Sequence, residues 1–339
     1  MGLQWDIHVT LILSHMSRAF VSQVSDRLVT KTAKGHTPTP FDALSNKNIV
    51  YWARDAIVSI SYTGPAYIGP LTTDDWIVQK LTGVDVSEKF GMRWFPLSHW
   101  LDIGQSTRLL LQELTCSEIA KQYVNFELVA VGWQWKTRRP LAGRYEPVPM
   151  AWGLSKAEAG KFEKEVERLP RYWYRKHSSF FHASPACNMP KTEFEKMFAH
   201  LRSRRPLETG VETASSVEQA SVNAIRSVSN SNPYVGPNCM GVILAPPHQR
   251  AFVRISFFPQ EEHTAQLVGK TAPPMALPAA FSPWIVGGGW MQKPSVQVGR
   301  STSDQLGPFT IAYSGPVACP VKGLIFAMSS QNRPPRPLK

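Results

Sequence analysis

The chain has 339 residues, of which 43% are hydrophobic, and a formal net charge of +12. This apolar content is enough to bury a full core and excludes a chain that is disordered throughout. No apolar run approaches the roughly 20 residues of a membrane-spanning helix, and the N-terminus has no signal-peptide pattern, so we expect a cytoplasmic protein without a membrane partner. The four cysteines lack CxxC spacing and indicate neither a zinc site nor a disulfide framework.

The predicted elements begin with two β-hairpins. Residues 9–13 and 19–24 are short β-rich runs that should pair, with Asp26 closing the second strand. Residues 31–40 are rich in Pro, Thr and Lys and predict an exposed loop. Residues 48–62 consist of two apolar halves, and the alternation in the second half predicts a mostly buried hairpin.

Two helices should follow these hairpins. Thr72 and Asp75 have the spacing of a capping box, which predicts a helix from there to about Leu81, and Gly83 would end it. Residues 106–122 carry a leucine stripe at helical spacing and predict a second helix, whose stripe should pack against the core.

The rest of the chain predicts further helices and strands. The helical patterns are at 155–168, 192–202 and 217–228. The strand patterns are at 126–135, 240–244 and 251–257. The last part of the chain is rich in Pro and Gly and contains the short β-like pieces FTIAY and LIFAM. Because strands and helices come in separate blocks, the order favours an α+β fold over a doubly wound parallel sheet.

Four short motifs occur in an order and at spacings that resemble the start of a proteasome β subunit. Thr10 opens the run TLIL, and Asp26 follows it by 16 residues. Lys47 lies in NKNI, and Gly64 lies in SYTGPA. A later helix, polar turn and strand, with SNPYVG as the turn, agree with the same family, so that the resemblance covers about residues 10–135 and 215–257 together.

This resemblance implies a four-layer αββα sandwich of the N-terminal-nucleophile (Ntn) hydrolase type. Residues 10–265 would form the domain, with an insertion at about 150–205, and residues 266–339 an irregular C-terminal extension. Residues 1–9 would be an N-terminal extension or a mis-assigned start, since a start codon at position 9 followed by methionine removal would expose Thr10. The resemblance also implies a homo-oligomer, such as a ring, and no cofactor or metal.

In catalytic terms the resemblance makes Thr10 the nucleophile of an amidohydrolase of the threonine-peptidase type. A threonine hydroxyl needs an adjacent base, which an N-terminal threonine supplies as its own α-amine. The ammonium of Lys47 would lower the pKa of that amine, and Asp26 would hold Lys47. The backbone N–H of Gly64 would stabilise the oxyanion, and Asn232 stands where the family has a supporting carboxylate.

Three functions remain open at this point. The first is an N-terminal threonine hydrolase that acts on a peptide or amide substrate. The second is a catalytically silent, proteasome-like scaffold or assembly subunit, which is favoured by the nine residues before Thr10 and by the apolar Val235 in the later turn. The third is a nucleic-acid-associated protein, which is favoured by the net positive charge and by the aromatic and basic run RYWYRKH at 171–177.

Overall fold

A computed structural model describes most of the chain that forms helices and strands. The described residues are 10–17, 19–31, 39–42, 45–86, 92–116, 126–139, 144–156, 162–164, 180–183, 210–246, 250–258, 260, 280–281, 283–293, 295–296, 309–316 and 325–329.

Strands prevail over helices in these ranges. The strands up to residue 156 are β1 (Ile12–Met16), β2 (Val21–Asp26), β3 (Val29–Lys31), β4 (Thr39–Asp42), β5 (Asn48–Trp52), β6 (Ala56–Thr63), β7 (Tyr67–Ile68), β8 (Leu71–Thr72), β9 (Met92–Trp94), β10 (Glu127–Arg139) and β11 (Arg144–Lys156). The later strands are β12 (Phe162–Lys164), β13 (Phe180–Ala183), β14 (Cys239–Ala245), β15 (Arg250–Phe258), β16 (Ala280–Phe281), β17 (Trp284–Gly287), β18 (Trp290–Gln292), β19 (Ser295–Val296), β20 (Phe309–Pro316) and β21 (Ile325–Ser329). The α-helices are α1 (Thr73–Thr82), α2 (Ile103–Cys116) and α3 (Gly210–Ser229), and Leu97–His99 form a short 3₁₀ helix.

Two large sheets organise the fold. Sheet I has the strand order β13-β1-β2-β14-β15-β20-β21, and sheet II has the order β12-β11-β10-β6-β5-β17-β18-β9. The pairs in sheet I are antiparallel, whereas β17 lies parallel to β5 in sheet II. Strands that follow residue 266 therefore join both sheets.

The two sheets pack against each other through a shared apolar core. Val21 and Val242 of sheet I belong to the same buried cluster as Val50, Ile57 and Val131 of sheet II. Because side chains alternate between the two faces of a strand, the residues between these positions point to the outer faces. The shared apolar cluster thus lies between the inner faces of the two sheets.

Helices pack against part of each sheet. Ile77 of α1 and Leu110 of α2 share a buried cluster with Val58 and Ile60 of β6, on the outer face of sheet II. On the outer face of sheet I, α3 packs against β1, β2 and β14 through a separate cluster. The predicted mixture of helices and strands is confirmed.

Most predicted elements that the structure describes are confirmed, but one predicted helix is wrong. The hairpin predicted at 48–62 forms β5 and β6, and α1 ends at Thr82 before Gly83, whose φ of 70° closes the helix in the left-handed region. The helix predicted at 155–168 is wrong in the described part, because β11 extends to Lys156 and residues 162–164 form β12. Pairing between these two strands outweighs the local charge pattern. The helix predicted at 192–202 lies outside the described residues.

Two details of the early elements also differ from expectation. The loop predicted at 31–40 is bounded by β3 and β4, which pair with each other, and residues 32–38 lie outside the described part. Thr72 forms no side-chain cap on α1. Asp75 instead accepts hydrogen bonds from Trp284 Nε1 (2.7 Å) and Lys293 Nζ (2.9 Å), so the predicted capping box is wrong. Asp75 connects the start of α1 to a segment near the end of the chain.

None of the described helices combines the length and the apolar character needed to cross a membrane.

Helix α3 buries a carboxylate against sheet I, and this leads to a prediction about pH. Glu218 Oε2 lies 2.7 Å from Arg254 Nη2. Burial raises the pKa of Glu218 from its ordinary value of 4.5 to about 7, against the opposing effect of Arg254. Between about pH 4.5 and pH 7, Glu218 therefore keeps its proton in the folded state but loses it in the unfolded state. Stability from this group is present below about pH 4.5 and is lost as the pH rises through about 7.

We expect the free energy of unfolding of the wild type, relative to Glu218→Gln, to fall by roughly 2–3 kcal/mol between about pH 5 and pH 8. Urea denaturation at a series of pH values measures this difference. His15 has the opposite pH dependence, because burial lowers its pKa to about 3, but both proteins contain it and its effect cancels. A difference that does not change with pH would contradict the prediction.

Candidate functional site

Asp26 is the centre of a buried hydrogen-bonded cluster at the end of β2. Its Oδ1 accepts a hydrogen bond from the Leu11 N–H (2.9 Å). Its Oδ2 accepts hydrogen bonds from the N–H groups of Leu28 (3.0 Å) and Gly236 (3.2 Å). One carboxylate, which is completely buried, thus accepts hydrogen bonds from residues just before β1, just after β2 and in the turn after α3.

Lys47 supplies the opposite charge to this cluster. It immediately precedes β5 of sheet II, and its Nζ lies 3.2 Å from Asp26 Oδ2 and 2.6 Å from the carbonyl oxygen of Leu28. Its side chain is only 4% exposed, so water screens the ion pair very little. The pair joins the end of sheet I to the end of sheet II.

Burial is the largest influence on the pKa values of this pair. It lowers the pKa of Lys47 below its ordinary value, and the neighbouring Asp26 offsets only part of this effect. It also raises the pKa of Asp26, against the opposing effects of Lys47 and the three N–H donors. An ammonium with a lowered pKa gives up its proton closer to neutral pH than an exposed lysine does.

Thr10 lies next to this cluster, just before β1. It is 3% exposed. Its neighbour Leu11 makes two hydrogen bonds with Asp26. The Leu11 N–H donates to the Asp26 carboxylate, and the Asp26 N–H donates to the Leu11 carbonyl (3.2 Å). The pairing of β1 with β2, in which Ile12 lies opposite Ser25, continues this alignment. The peptide between Thr10 and Leu11 is therefore fixed beside the ion pair.

Gly64 follows β6 and begins the turn that leads to α1. Its φ is 106°, a value that favours glycine. The turn is anchored by Thr73, whose Oγ1 donates to the Pro65 carbonyl (2.6 Å). Two residues earlier, the Tyr62 N–H donates to the carbonyl of Lys47 (3.3 Å). Gly64 thus lies two residues beyond a position that is hydrogen-bonded to Lys47.

Asn232 lies in the turn after α3, and its side chain serves that turn. Within the described residues, its Oδ1 accepts a hydrogen bond from the Tyr234 N–H (3.0 Å). The group from this turn that reaches Asp26 is the Gly236 N–H. A Cβ on Gly236 would lie 2.5 Å from Leu28 Cβ, so glycine permits this close approach. Sequence reasoning missed Gly236 and Leu28 as donors, because a backbone N–H leaves no side-chain signature.

Neither metal ligation nor a reactive cysteine is indicated at this cluster by the described residues. They contain no group of three or more His, Cys, Asp or Glu side chains arranged to hold a metal ion. Cys239 begins β14 opposite Asp26, and burial raises its pKa well above the usual range. Its thiol therefore stays protonated and is a poor nucleophile. In this cluster, Thr10 and Lys47 are the side chains with potential for nucleophilic or base chemistry.

Comparisons with family models and with curated proteins find no match. Among solved structures, the chain is similar to a Gly-1 mutant of Anbu from Hyphomicrobium sp. strain MC1, with a TM-score of 0.40 and 12% identity, over 70% of this chain and 82% of that chain. It is also similar to Anbu (ancestral beta-subunit) from Yersinia bercovieri, with a TM-score of 0.39 and 13% identity, over 70% of this chain and 82% of that chain. A second Anbu structure from Hyphomicrobium sp. strain MC1 is similar with a TM-score of 0.37 and 12% identity, over 70% of this chain and 83% of that chain.

These findings correct the family assignment made from the sequence. The sequence resemblance assigns the chain to the Ntn-hydrolase superfamily, as a protein resembling proteasome β subunits of the threonine-peptidase type. This assignment is wrong, because no family model matches and the similarity to solved structures is only a distant relation of fold. The four motifs are short and consist of common residue types, so their order and spacing do not identify a family.

Proposed function

We propose that this chain is an amidohydrolase that cleaves a peptide or amide substrate and uses Thr10 as an N-terminal nucleophile. One observation carries the proposal. The Asp26 carboxylate binds both the Leu11 N–H, next to Thr10, and the buried ammonium of Lys47. In this proposal, Thr10 is the nucleophile, Lys47 is the cation that tunes its base, and Asp26 orients both.

In the proposed mechanism, Thr10 is the first residue and its free α-amine is the base. As Oγ attacks the amide carbonyl carbon, the amine accepts the hydroxyl proton. Collapse of the tetrahedral intermediate breaks the C–N bond, and the proton passes to the departing amine. Water then hydrolyses the ester to Thr10, again with the amine as base. Lys47 would keep that amine in its free-base form, and the Gly64 N–H would donate to the oxyanion.

We also infer that the layers of the fold form a four-layer αββα sandwich. Three buried clusters support this arrangement: one between the sheets, one beneath α1 and α2, and one beneath α3. In such an arrangement the ends of both sheets meet at one edge of the central core. A site built from Asp26 of one sheet and Lys47 of the other fits that edge.

A second candidate function is a catalytically silent scaffold or assembly subunit. It is favoured by the 3% exposure of Thr10 and by the residues that precede it, since an amide nitrogen cannot act as a base. The side chain of Asn232 bonds within its own turn, and the neighbouring Val235 is apolar and buried, so neither adds a charged support. Labelling of Thr10 with an epoxyketone separates the two functions.

Other expectations stay predictions. These are the homo-oligomer, the cytoplasmic location, the insertion at 150–205 and the association with nucleic acid. The run RYWYRKH, which motivates nucleic-acid binding, lies outside the described residues. Binding to a single-stranded oligonucleotide that weakens steeply with salt would support that alternative.

The proposed function is tested with two forms of the chain, one starting at Thr10 after methionine removal and one that retains residues 1–9. Each is treated with an epoxyketone and analysed by intact mass and peptide mapping. We expect one equivalent of adduct on Thr10 in the first form and none in the second, because the epoxyketone adduct needs both Oγ and a free amine. Thr10→Ala should abolish the adduct. Lys47→Ala should slow its formation about tenfold or more, because the amine would then carry a proton more often.

Lys80→Ala is the matched control, because Lys80 lies on α1 with its side chain 35% exposed. It should leave the labelling rate unchanged. Absence of labelling in the folded form that starts at Thr10 would reject the hydrolase and support the silent scaffold. An adduct that persists in Thr10→Ala would place the reactive group elsewhere.

A further inference from the structure

A buried polar network crosses the core between the two sheets. Asn48 is its centre: Oδ1 accepts a hydrogen bond from Ser25 Oγ–H (2.5 Å), and Nδ2 donates to Gln23 Oε1 and Ser59 Oγ (both 3.4 Å). Gln23 Nε2 donates in turn to Ser14 Oγ and to the carbonyl oxygen of Val129 (both 3.2 Å). The side-chain members of the network are at most 2% exposed.

The network links one sheet to the other at a particular place. Gln23 and Ser25 belong to β2 of sheet I, whereas Asn48 belongs to β5 of sheet II. Ser25 directly precedes Asp26, and Asn48 directly follows Lys47. The hydrogen bond between Ser25 and Asn48 therefore crosses between the sheets one residue away from each partner of the ion pair.

Most of the contact between the sheets is apolar, and apolar contacts have little directional preference. Hydrogen bonds between buried side chains do have a preferred geometry, and leaving one partner unsatisfied costs free energy, so such a network selects a single arrangement of the two sheets. A shift of one sheet along the other would break the bond between Ser25 and Asn48. The same shift would move Lys47 away from Asp26.

We propose that Ser25 and Asn48 are positioning residues that hold Lys47 against Asp26 across the two sheets. Their relevance to catalysis rests on the proposed function, because only then does the ion pair serve Thr10. Their effect on Lys47 itself is independent of any activity. It can therefore be measured whether or not Thr10 is a nucleophile.

The test measures how fast an amine-reactive acetylating reagent modifies Lys47 in the folded, full-length chain, with peptide mass spectrometry as the readout. A buried amine reacts only when its surroundings open locally. We expect Lys47 to react about tenfold faster in Ser25→Ala and in Asn48→Leu than in the wild type, because each change removes hydrogen bonds beside the ion pair. Ser25→Thr keeps the hydroxyl and should react at the wild-type rate.

Val242→Ala is the matched control, because Val242 lies in the apolar part of the same core. It should reduce global stability without a selective increase at Lys47. Rates are compared at equal global stability, set by adding urea to the more stable proteins. If Asn48→Leu does not fold, Ser25→Ala and Ser25→Thr still decide the question. An unchanged Lys47 rate in Ser25→Ala, or an equal increase in Val242→Ala, would overturn the proposal. A failure of epoxyketone labelling at Thr10 would reject the hydrolase alone.

Discussion

Gly132→Ala is expected to lower the free energy of unfolding by about 3 kcal/mol or more, or to prevent folding. Gly132 lies in β10 opposite Val58 of β6. A Cβ at this position would overlap the carbonyl oxygen of Ile57 and lie 2.6 Å from Val58 Cα. These are backbone atoms of a paired strand and cannot move aside as a flexible side chain could.

Gly153→Ala is the matched control for this prediction. Gly153 lies on the adjacent strand β11, and a Cβ there would meet the Leu128 carbonyl oxygen at 3.5 Å, an ordinary contact. We expect a change of less than about 1 kcal/mol in either direction. Urea denaturation followed by tryptophan fluorescence and far-UV circular dichroism measures both variants. Equal losses in the two variants would show that the close approach at Gly132 is not the cause.

The first hairpin shows how local sequence places a strand pair but not its ends. The predicted strands, 9–13 and 19–24, became β1 and β2, each displaced toward the C-terminus. The displacement follows from Ser17, whose Oγ accepts hydrogen bonds from the N–H groups of Ala19 and Phe20. This hydroxyl closes a tight turn over residues 17–20, so β1 extends to Met16 and β2 begins only at Val21.

Strand β11 could not be predicted from local pattern, because it contains two prolines. Pro147 and Pro149 lie opposite Trp135 and Trp133 of β10. The neighbour on the other side, β12, pairs only with residues 154–156 in the described part of the chain. The prolines therefore lie where the outer edge of β11 has no described partner strand, so their missing N–H groups break no ladder there. Such an edge position depends on the tertiary arrangement.

Some features of the candidate site could be expected before the structure was known, whereas others depend on the fold. The pairing of Lys47 with Asp26 was expected only from the resemblance, because nothing in the local pattern of either residue indicates a buried ion pair. The donors from Gly236 and Leu28 could not be predicted, because they are backbone groups, and Gly236 comes from a distant part of the chain. The inter-sheet bond between Ser25 and Asn48 also requires knowledge of how the sheets stack. Chemical types are visible in a sequence, whereas packing partners are not.

Asp26→Asn is expected to lower the free energy of unfolding by about 3–5 kcal/mol. The substitution keeps the size of the side chain but leaves the ammonium of Lys47 buried without its charged partner. It also replaces one acceptor oxygen by an N–H donor among groups that are themselves donors, such as the N–H of Leu28 and Gly236. Urea denaturation at neutral pH gives the loss.

The double variant Asp26→Asn/Lys47→Met measures the interaction between Asp26 and Lys47 separately from their interactions with surrounding groups. Because Met removes the unpaired charge, we expect the double variant to lose less stability than the sum of the single variants, by more than about 1 kcal/mol. Glu113→Gln is the surface control: Glu113 pairs with Lys80 at 2.6 Å, but both side chains are about one third exposed, so the loss should stay below about 1 kcal/mol. If Asp26→Asn lowers the free energy of unfolding no more than Glu113→Gln does, burial does not strengthen the contribution of the Asp26–Lys47 pair to stability. Lys47 would then lack the fixed position beside Thr10 that the proposed chemistry requires.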